Sequence, residues 1–85
     1  MAYAIFILRR AQKELADVSH DSYTRVQGAI RELAQQPRPL GSRKLVGRAG
    51  CRIRMGSYRV VYEIEDSQQR ITILHIGHRK DIYRS

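Results

Sequence analysis

Between Cys51 and Tyr62 the chain reads Cys-Arg-Ile-Arg-Met-Gly-Ser-Tyr-Arg-Val-Val-Tyr, two apolar arms carrying arginines at alternate positions. Guanidinium forks bind phosphate oxygens in pairs and keep their charge at any ordinary pH. If Gly56-Ser57 is a two-residue turn, Met55 stands opposite Tyr58 and Arg54 opposite Arg59. Side chains alternate between faces, so Arg52, Arg54 and Arg59 then share one. Like charges directly opposite one another destabilise a sheet. A small domain that keeps them there implies an anion to neutralise them. The surroundings point the same way. From Leu33 to Tyr62 there is no Asp or Glu, while Arg38, Arg43, Lys44, Arg48, Arg52, Arg54 and Arg59 all fall in that window. The plainer alternative is a solvated sheet face shared with acids such as Glu63, and the missing acids argue against it. Arg59 is expected to point away from an apolar Tyr58, Val60, Tyr62 face, so that its truncation spares the fold.

A second cluster follows the last apolar segment: Gly77-His-Arg-Lys-Asp-Ile-Tyr83. His78, Arg79 and Tyr83 together offer acid–base chemistry beside a phosphate. The three histidines suggest no metal site. His20, His75 and His78 lack a neighbouring Cys or a helical partner at the right spacing. His75, inside an apolar segment, reads as a sheet or core residue. There is no glycine-rich phosphate loop, nucleophile elbow or Cys-x-x-Cys pair. Cys51 reads as structural, and Tyr58 and Tyr62 as packing on helices.

The chain has 85 residues, enough for one domain over 1–85 with a small core and no separate cofactor domain. Sixteen Lys and Arg against eight Asp and Glu give a net charge of +8. A positive field of that density is usually aimed at phosphate. A membrane surface would call for a basic amphipathic helix, and no segment has that pattern. The apolar start, Met1 to Leu8, is too short for a signal peptide or a span. A single cysteine excludes an internal disulfide and fits a reducing, cytoplasmic setting.

These residues need elements to hold them. Tyr3 to Leu8 reads as a strand. Ala11, Leu15 and Val18 follow helical spacing with no good N-cap before them. Ser19 or Asp21 can cap a second helix whose apolar face is Tyr23, Val26, Ile30 and Leu33. Gly28 inside it costs about 1 kcal/mol relative to Ala, which implies close packing there or nothing. Pro37 ends that helix by about Gln35. Arg43 to Val46 reads as a short strand. Cys51 to Met55 and Tyr58 to Glu65 form a hairpin, Asp66 to Gln69 a turn, and Arg70 to Ile76 a last strand, apolar on both faces and so either interior or covered on both sides. The order β-α-α-β-β-β predicts an α+β fold: an antiparallel sheet with a helical hairpin packed on one face.

Three stretches together resemble the RelE toxins of the RelE/ParE superfamily of toxin–antitoxin systems. They are Arg43-Lys-Leu-Val-Gly47, Cys51-Arg-Ile-Arg-Met-Gly-Ser-Tyr-Arg-Val-Val-Tyr-Glu-Ile64, and Ile73-Leu-His-Ile-Gly-His-Arg-Lys-Asp-Ile-Tyr83. The resemblance implies a ribosome-dependent mRNA endonuclease. It would cut A-site codons by 2′-hydroxyl attack on the neighbouring phosphate, without metal or other cofactor. It implies a catalytic set of Arg52, Arg54, Arg59, Arg79 and Tyr83, with His78 in reserve. Arg43, Lys44, Arg48 and Lys80 are the expected RNA-binding residues. Partners would be the ribosome, mRNA and a cognate antitoxin, in a toxin–antitoxin heterotetramer. RelE-type enzymes carry lysines where this chain has Arg52 and Arg54. Arginine does not readily give up its proton, so the general-base role passes to Tyr83 or His78. The alternative within the superfamily is a ParE-type toxin that binds DNA gyrase and cuts nothing, for which Tyr83 would be superfluous. A plain nucleic-acid-binding module is a third reading.

Overall fold

The computed structural model of the chain describes residues 2–78. Arg79, Lys80 and Tyr83, all named above as site residues, lie outside the described residues. Strand β1 spans Ala4–Ile7, helix α1 Arg9–Ala16 and helix α2 His20–Glu32. Strand β2 is Arg43–Lys44, β3 Cys51–Met55, β4 Tyr58–Glu65 and β5 Arg70–His78. The five strands form one sheet in the order β1-β5-β4-β3-β2. All ladders are antiparallel except that between β1 and β5, which is parallel, so the sheet is mixed. β5 thus has a strand neighbour on each side, the first of the two alternatives its apolar residues left open.

Each helix begins without a side-chain cap. Ser19 does occupy the N-cap position of α2, but its backbone N–H donates to the Tyr58 hydroxyl at 3.2 Å instead. At the start of α1, Gln12 donates from Nε2 to the Ile7 carbonyl at 2.8 Å. What holds the helices is burial. Ala11 and Val18, then Val26, Ile30 and Leu33, lie on Ile53, Val60, Tyr62, Ile71, Ile73 and Ile76 of the sheet. Each large apolar side chain removed from water contributes roughly 1.5–3 kcal/mol before entropy is counted. α2 ends at Glu32 and gives way to a turn over residues 33–35 before Pro37. Around Gly28 a methyl group would meet no atom within 4 Å, so the close-packing reading of that glycine does not hold.

Two polar ties fix the connection from α2 to the hairpin. Tyr62 is fully buried and its hydroxyl donates to the Pro37 carbonyl at 2.8 Å. Burial pushes the Tyr62 phenol up to about 12. Arg38 grips Asp66 with both terminal nitrogens, at 3.3 and 2.8 Å, and the Tyr3 hydroxyl donates to the same carboxylate at 2.6 Å. Arg38, first among the causes, and then Tyr3 hold the Asp66 carboxyl below the usual range. Arg38 is therefore spent within the fold. Gly50 closes the loop into β3 at φ +119, where a Cβ would sit 3.0 Å from the Tyr62 carbonyl oxygen and 3.2 Å from Leu45 Cδ1. Only glycine fits that conformation and that gap.

Candidate nucleic-acid interface

The hairpin has the register expected from its turn. Met55 pairs with Tyr58, Arg54 with Arg59, and Arg52 with Val61. Gly56 sits at φ +59 and Ser57 is not left-handed, the combination of a type II′ turn with glycine first. β2 continues the pattern, because Arg43 pairs with Arg52. Two short rows of arginine therefore cross the side of the sheet away from the helices: Arg43 beside Arg52, and Arg54 beside Arg59. Among the described residues no carboxylate lies within 4 Å of Arg43, Arg52 or Arg54. The other end of this face is compensated. Arg70 lies 3.0 Å from Glu65 and 5.6 Å over the Phe6 ring.

Arg59 does not stand in solvent. Its side chain points away from the helical core, as alternation requires, yet only 1% of the residue is exposed. It is the largest fully buried side chain among the described residues. Beside it a cleft of about 600 Å³ opens between α2 and β3, with Arg43, Arg52, Arg54 and Arg59 on its walls. Truncating Arg59 would remove packed volume as well as charge, which corrects the expectation that the fold would be spared.

The other residues singled out in the sequence are dispersed. Lys44 pairs with Cys51, so alternation puts it on the opposite face from Arg43. Arg48 is exposed in the loop before β3. β5 runs on to His78 instead of ending at Ile76, and His78 pairs with Tyr58. Its ring makes an edge contact with the Tyr58 ring, centroids 5.7 Å apart at 72°. His78 is thus on the helix side of the sheet, and the residue facing Arg59 is Gly77.

Two further residues matter here: His75, read from the sequence as a sheet or core residue and found in β5, and Arg25, which sequence reasoning passed over. His75 opposes Val61, on the arginine side, and its Nδ1 lies 2.6 Å from Glu14 Oε2 of α1. Glu14 also accepts the Ile76 backbone N–H at 2.9 Å, so one carboxylate ties α1 to the edge of β5. A ladder irregularity at Val61/Tyr62 puts His75 on the face opposite Ile73, where its side chain is still mostly buried. A period-two reading anchored on Ile71 and Ile73 would place it in the core instead. The second is Arg25 of α2, whose Nη1 lies 3.8 Å from where a Cβ on Gly56 would be. It stands one turn before Ala29, which lines the cleft, and that helical spacing was the available signal. Among the described residues no group of three His, Cys, Asp or Glu is placed to hold a metal, and no helix is long and apolar enough to cross a membrane.

A family model described as the ParE toxin of the parDE type II toxin–antitoxin system matches residues 5–83. Toxin RelG of Mycobacterium tuberculosis is 37% identical over 62 residues, 69% of this chain and 69% of that protein. The fold superposes on an arginine-to-alanine double variant of Escherichia coli toxin RelE in the free state with a TM-score of 0.79. Identity there is 25%, covering 99% of this chain and 93% of that one. The archaeal RelE in the RelE–RelB complex of Pyrococcus horikoshii gives a TM-score of 0.78 at 26% identity, covering 93% and 97%. With the sheet order, the arginine hairpin and these likenesses in agreement, the chain belongs to the RelE/ParE superfamily of type II toxin–antitoxin toxins, as one of its RelE-type members.

Proposed function

We propose that this toxin is a ribosome-dependent endonuclease that cleaves mRNA in the A site. The observation that carries the reading is the pair of arginine rows, Arg43–Arg52 and Arg54–Arg59, on one face of the sheet. No carboxylate among the described residues approaches the first three of those arginines within 4 Å. Such a face suits a phosphodiester whose negative charge rises during attack. The 2′-hydroxyl oxygen bonds to the adjacent phosphorus, the bond to the 5′-oxygen breaks, and the oxyanions gather charge in between. Fixed guanidinium donors stabilise that charge without reorganising. They cannot easily accept the 2′ proton, so Tyr83 is the proposed base, with Arg79 completing the cationic set. His78, beside Tyr58 on the helix side, is the weaker candidate.

The partner is proposed by analogy. RelE of E. coli, and that of P. horikoshii, have been solved in complex with an antitoxin. A cognate antitoxin would cover the arginine face here, in a toxin–antitoxin heterotetramer in the cytoplasm. The test is to induce the chain without its antitoxin and map mRNA 5′ ends. Cuts inside translated codons support the reading. Intact mRNA with inhibited gyrase supercoiling replaces it with the ParE-type alternative.

A further inference from the structure

Glu32 is out of place for its charge. It is the last residue of α2, where the helix dipole favours a cation. It is also the single acid lining the cleft that holds Arg43, Arg52, Arg54 and Arg59. Among the described residues, no Lys, Arg or His nitrogen lies within 4 Å of its carboxylate. The carboxylate therefore stands exposed and unpaired in a strongly cationic cleft. The Glu32 carbonyl accepts the Gln36 N–H at 3.0 Å, which sets Gln36 one turn further on, and Gln36 lines the cleft as well. The lining thus carries two chemistries: four guanidiniums, and one carboxylate followed by one carboxamide.

An acid in a phosphate site repels the phosphate. Its presence marks a place where the ligand brings N–H donors and not oxygens. A nucleotide supplies both: its phosphate suits the arginines and its base edge suits the acid. Guanine is the base with two adjacent donors, N1–H and N2–H, on its Watson–Crick edge. They meet the two oxygens of a carboxylate side by side, in the same fork geometry that a guanidinium uses. The neighbouring O6 accepts, which fits the carboxamide of Gln36. Cytosine and adenine each offer one amino group beside a bare ring nitrogen, and uracil one N–H between two carbonyls. Each of those three puts an acceptor against the carboxylate. No lining residue is aromatic, but a guanidinium plane serves as a stacking surface for a base, and a cleft of about 600 Å³ is in the range of small-ligand sites. We propose that Glu32, with Gln36, reads an unpaired guanine beside the phosphate held by the arginine rows, and so determines the base specificity of the toxin. This deepens the nuclease reading and rests on it for the identity of the substrate as RNA.

The test is to titrate the intact chain with the 5′-monophosphates of guanosine, adenosine, cytidine and uridine, and with inorganic phosphate, following binding by NMR. The guanosine nucleotide is expected to bind roughly tenfold more tightly than the other three, as one bidentate base contact allows. Inosine monophosphate, which lacks the N2 amino group, should fall between. Glu32→Gln should move the ligands in opposite directions. Binding of the guanosine nucleotide weakens roughly tenfold, while adenosine monophosphate and inorganic phosphate bind more tightly because a repelling charge is gone. A merely structural role at the end of α2 would shift all of them together. On ribosomes, cuts by the wild type should cluster beside G, and those by Glu32→Gln should spread over other bases. Equal affinities for the four nucleotides, a parallel change for all ligands in Glu32→Gln, or an unchanged cut-site spectrum would each overturn the proposal. Guanosine-selective binding together with intact mRNA in induced cells would sink the nuclease reading and leave the base site standing. Codon cuts without any preference for G would do the reverse.

Discussion

Arg54 and Arg59 face one another across the β3–β4 ladder, but Arg54 is exposed while Arg59 is 1% exposed. Two like charges at adjacent positions have opposite relations to water, and their truncations should separate accordingly. Arg54→Ala is expected to leave thermal stability within about 0.5 kcal/mol of wild type. It should slow single-turnover cleavage on ribosomes by about 10²-fold, the loss typical of one charge-stabilising donor. Arg59→Ala should lower activity and also stability, by an amount on the order of 2 kcal/mol, because a packed side chain leaves a void. Equal melting temperatures for the two variants would mean that the burial of Arg59 contributes no packing.

Much of this arrangement was legible in the sequence, and the parts that were not have definite causes. The hairpin announced itself by alternation on both arms and by glycine at the first turn position, so its register followed. The burial of Arg59 did not, because alternation fixes a face and says nothing of what lies above it. The parallel β1–β5 ladder was hidden because strand order gives no direction for a first strand paired with the last. The face of His78 was missed by ending β5 two residues early. Once the strand runs through Gly77, alternation places the ring beside Tyr58. Along β5, Ile71, Ile73 and Ile76 all enter the core despite their uneven spacing, because the ladder slips at Val61/Tyr62. A strictly period-two reading spreads those residues over both faces.

Two glycines should respond in opposite directions. Gly28→Ala is expected to raise stability by about 0.5–1 kcal/mol, since it restores helix propensity and its methyl meets no atom within 4 Å. Gly50→Ala should cost on the order of 2 kcal/mol, because φ there is +119 and its Cβ would press on the Tyr62 carbonyl. Denaturant midpoints decide it, and a destabilised Gly28→Ala would show packing on that side of α2 after all.

Stability should fall at both ends of the pH scale for different reasons. The Asp66 carboxyl is held low by Arg38 and then by Tyr3. A lowered folded-state pKa stabilises the fold above the unfolded carboxylate value of about 4, and that contribution is lost as pH falls through the folded value. Asp66→Asn should therefore flatten the acid limb. Tyr62 works the other way. Its phenol is pushed up to about 12 by burial, so the contribution is complete below the unfolded value of about 10 and is lost as pH rises toward 12. Tyr62→Phe should flatten the alkaline limb, at the loss of the bond to the Pro37 carbonyl. An alkaline limb unchanged in Tyr62→Phe would show that another group sets it.

The identity of the base is the sharpest test of the proposed chemistry. Arginine is a poor general base near neutral pH. The sequence therefore offered Tyr83 first and His78 second. The ring of His78 now lies against Tyr58, while Gly77 is the β5 residue facing Arg59, so His78 starts from the wrong side of the sheet. His78→Gln is accordingly expected to cleave at close to the wild-type rate. Tyr83→Phe keeps a ring for stacking on a base and removes only the hydroxyl. A general base contributes about 10²–10⁴-fold, so Tyr83→Phe should slow single-turnover cleavage within that range while ribosome binding stays near normal. A slow His78→Gln beside a normal Tyr83→Phe would require β5 to release its last residue toward the arginines before the chemistry. If both variants cleave at the wild-type rate, no protein group takes the 2′ proton, and the arginines act through charge and position alone.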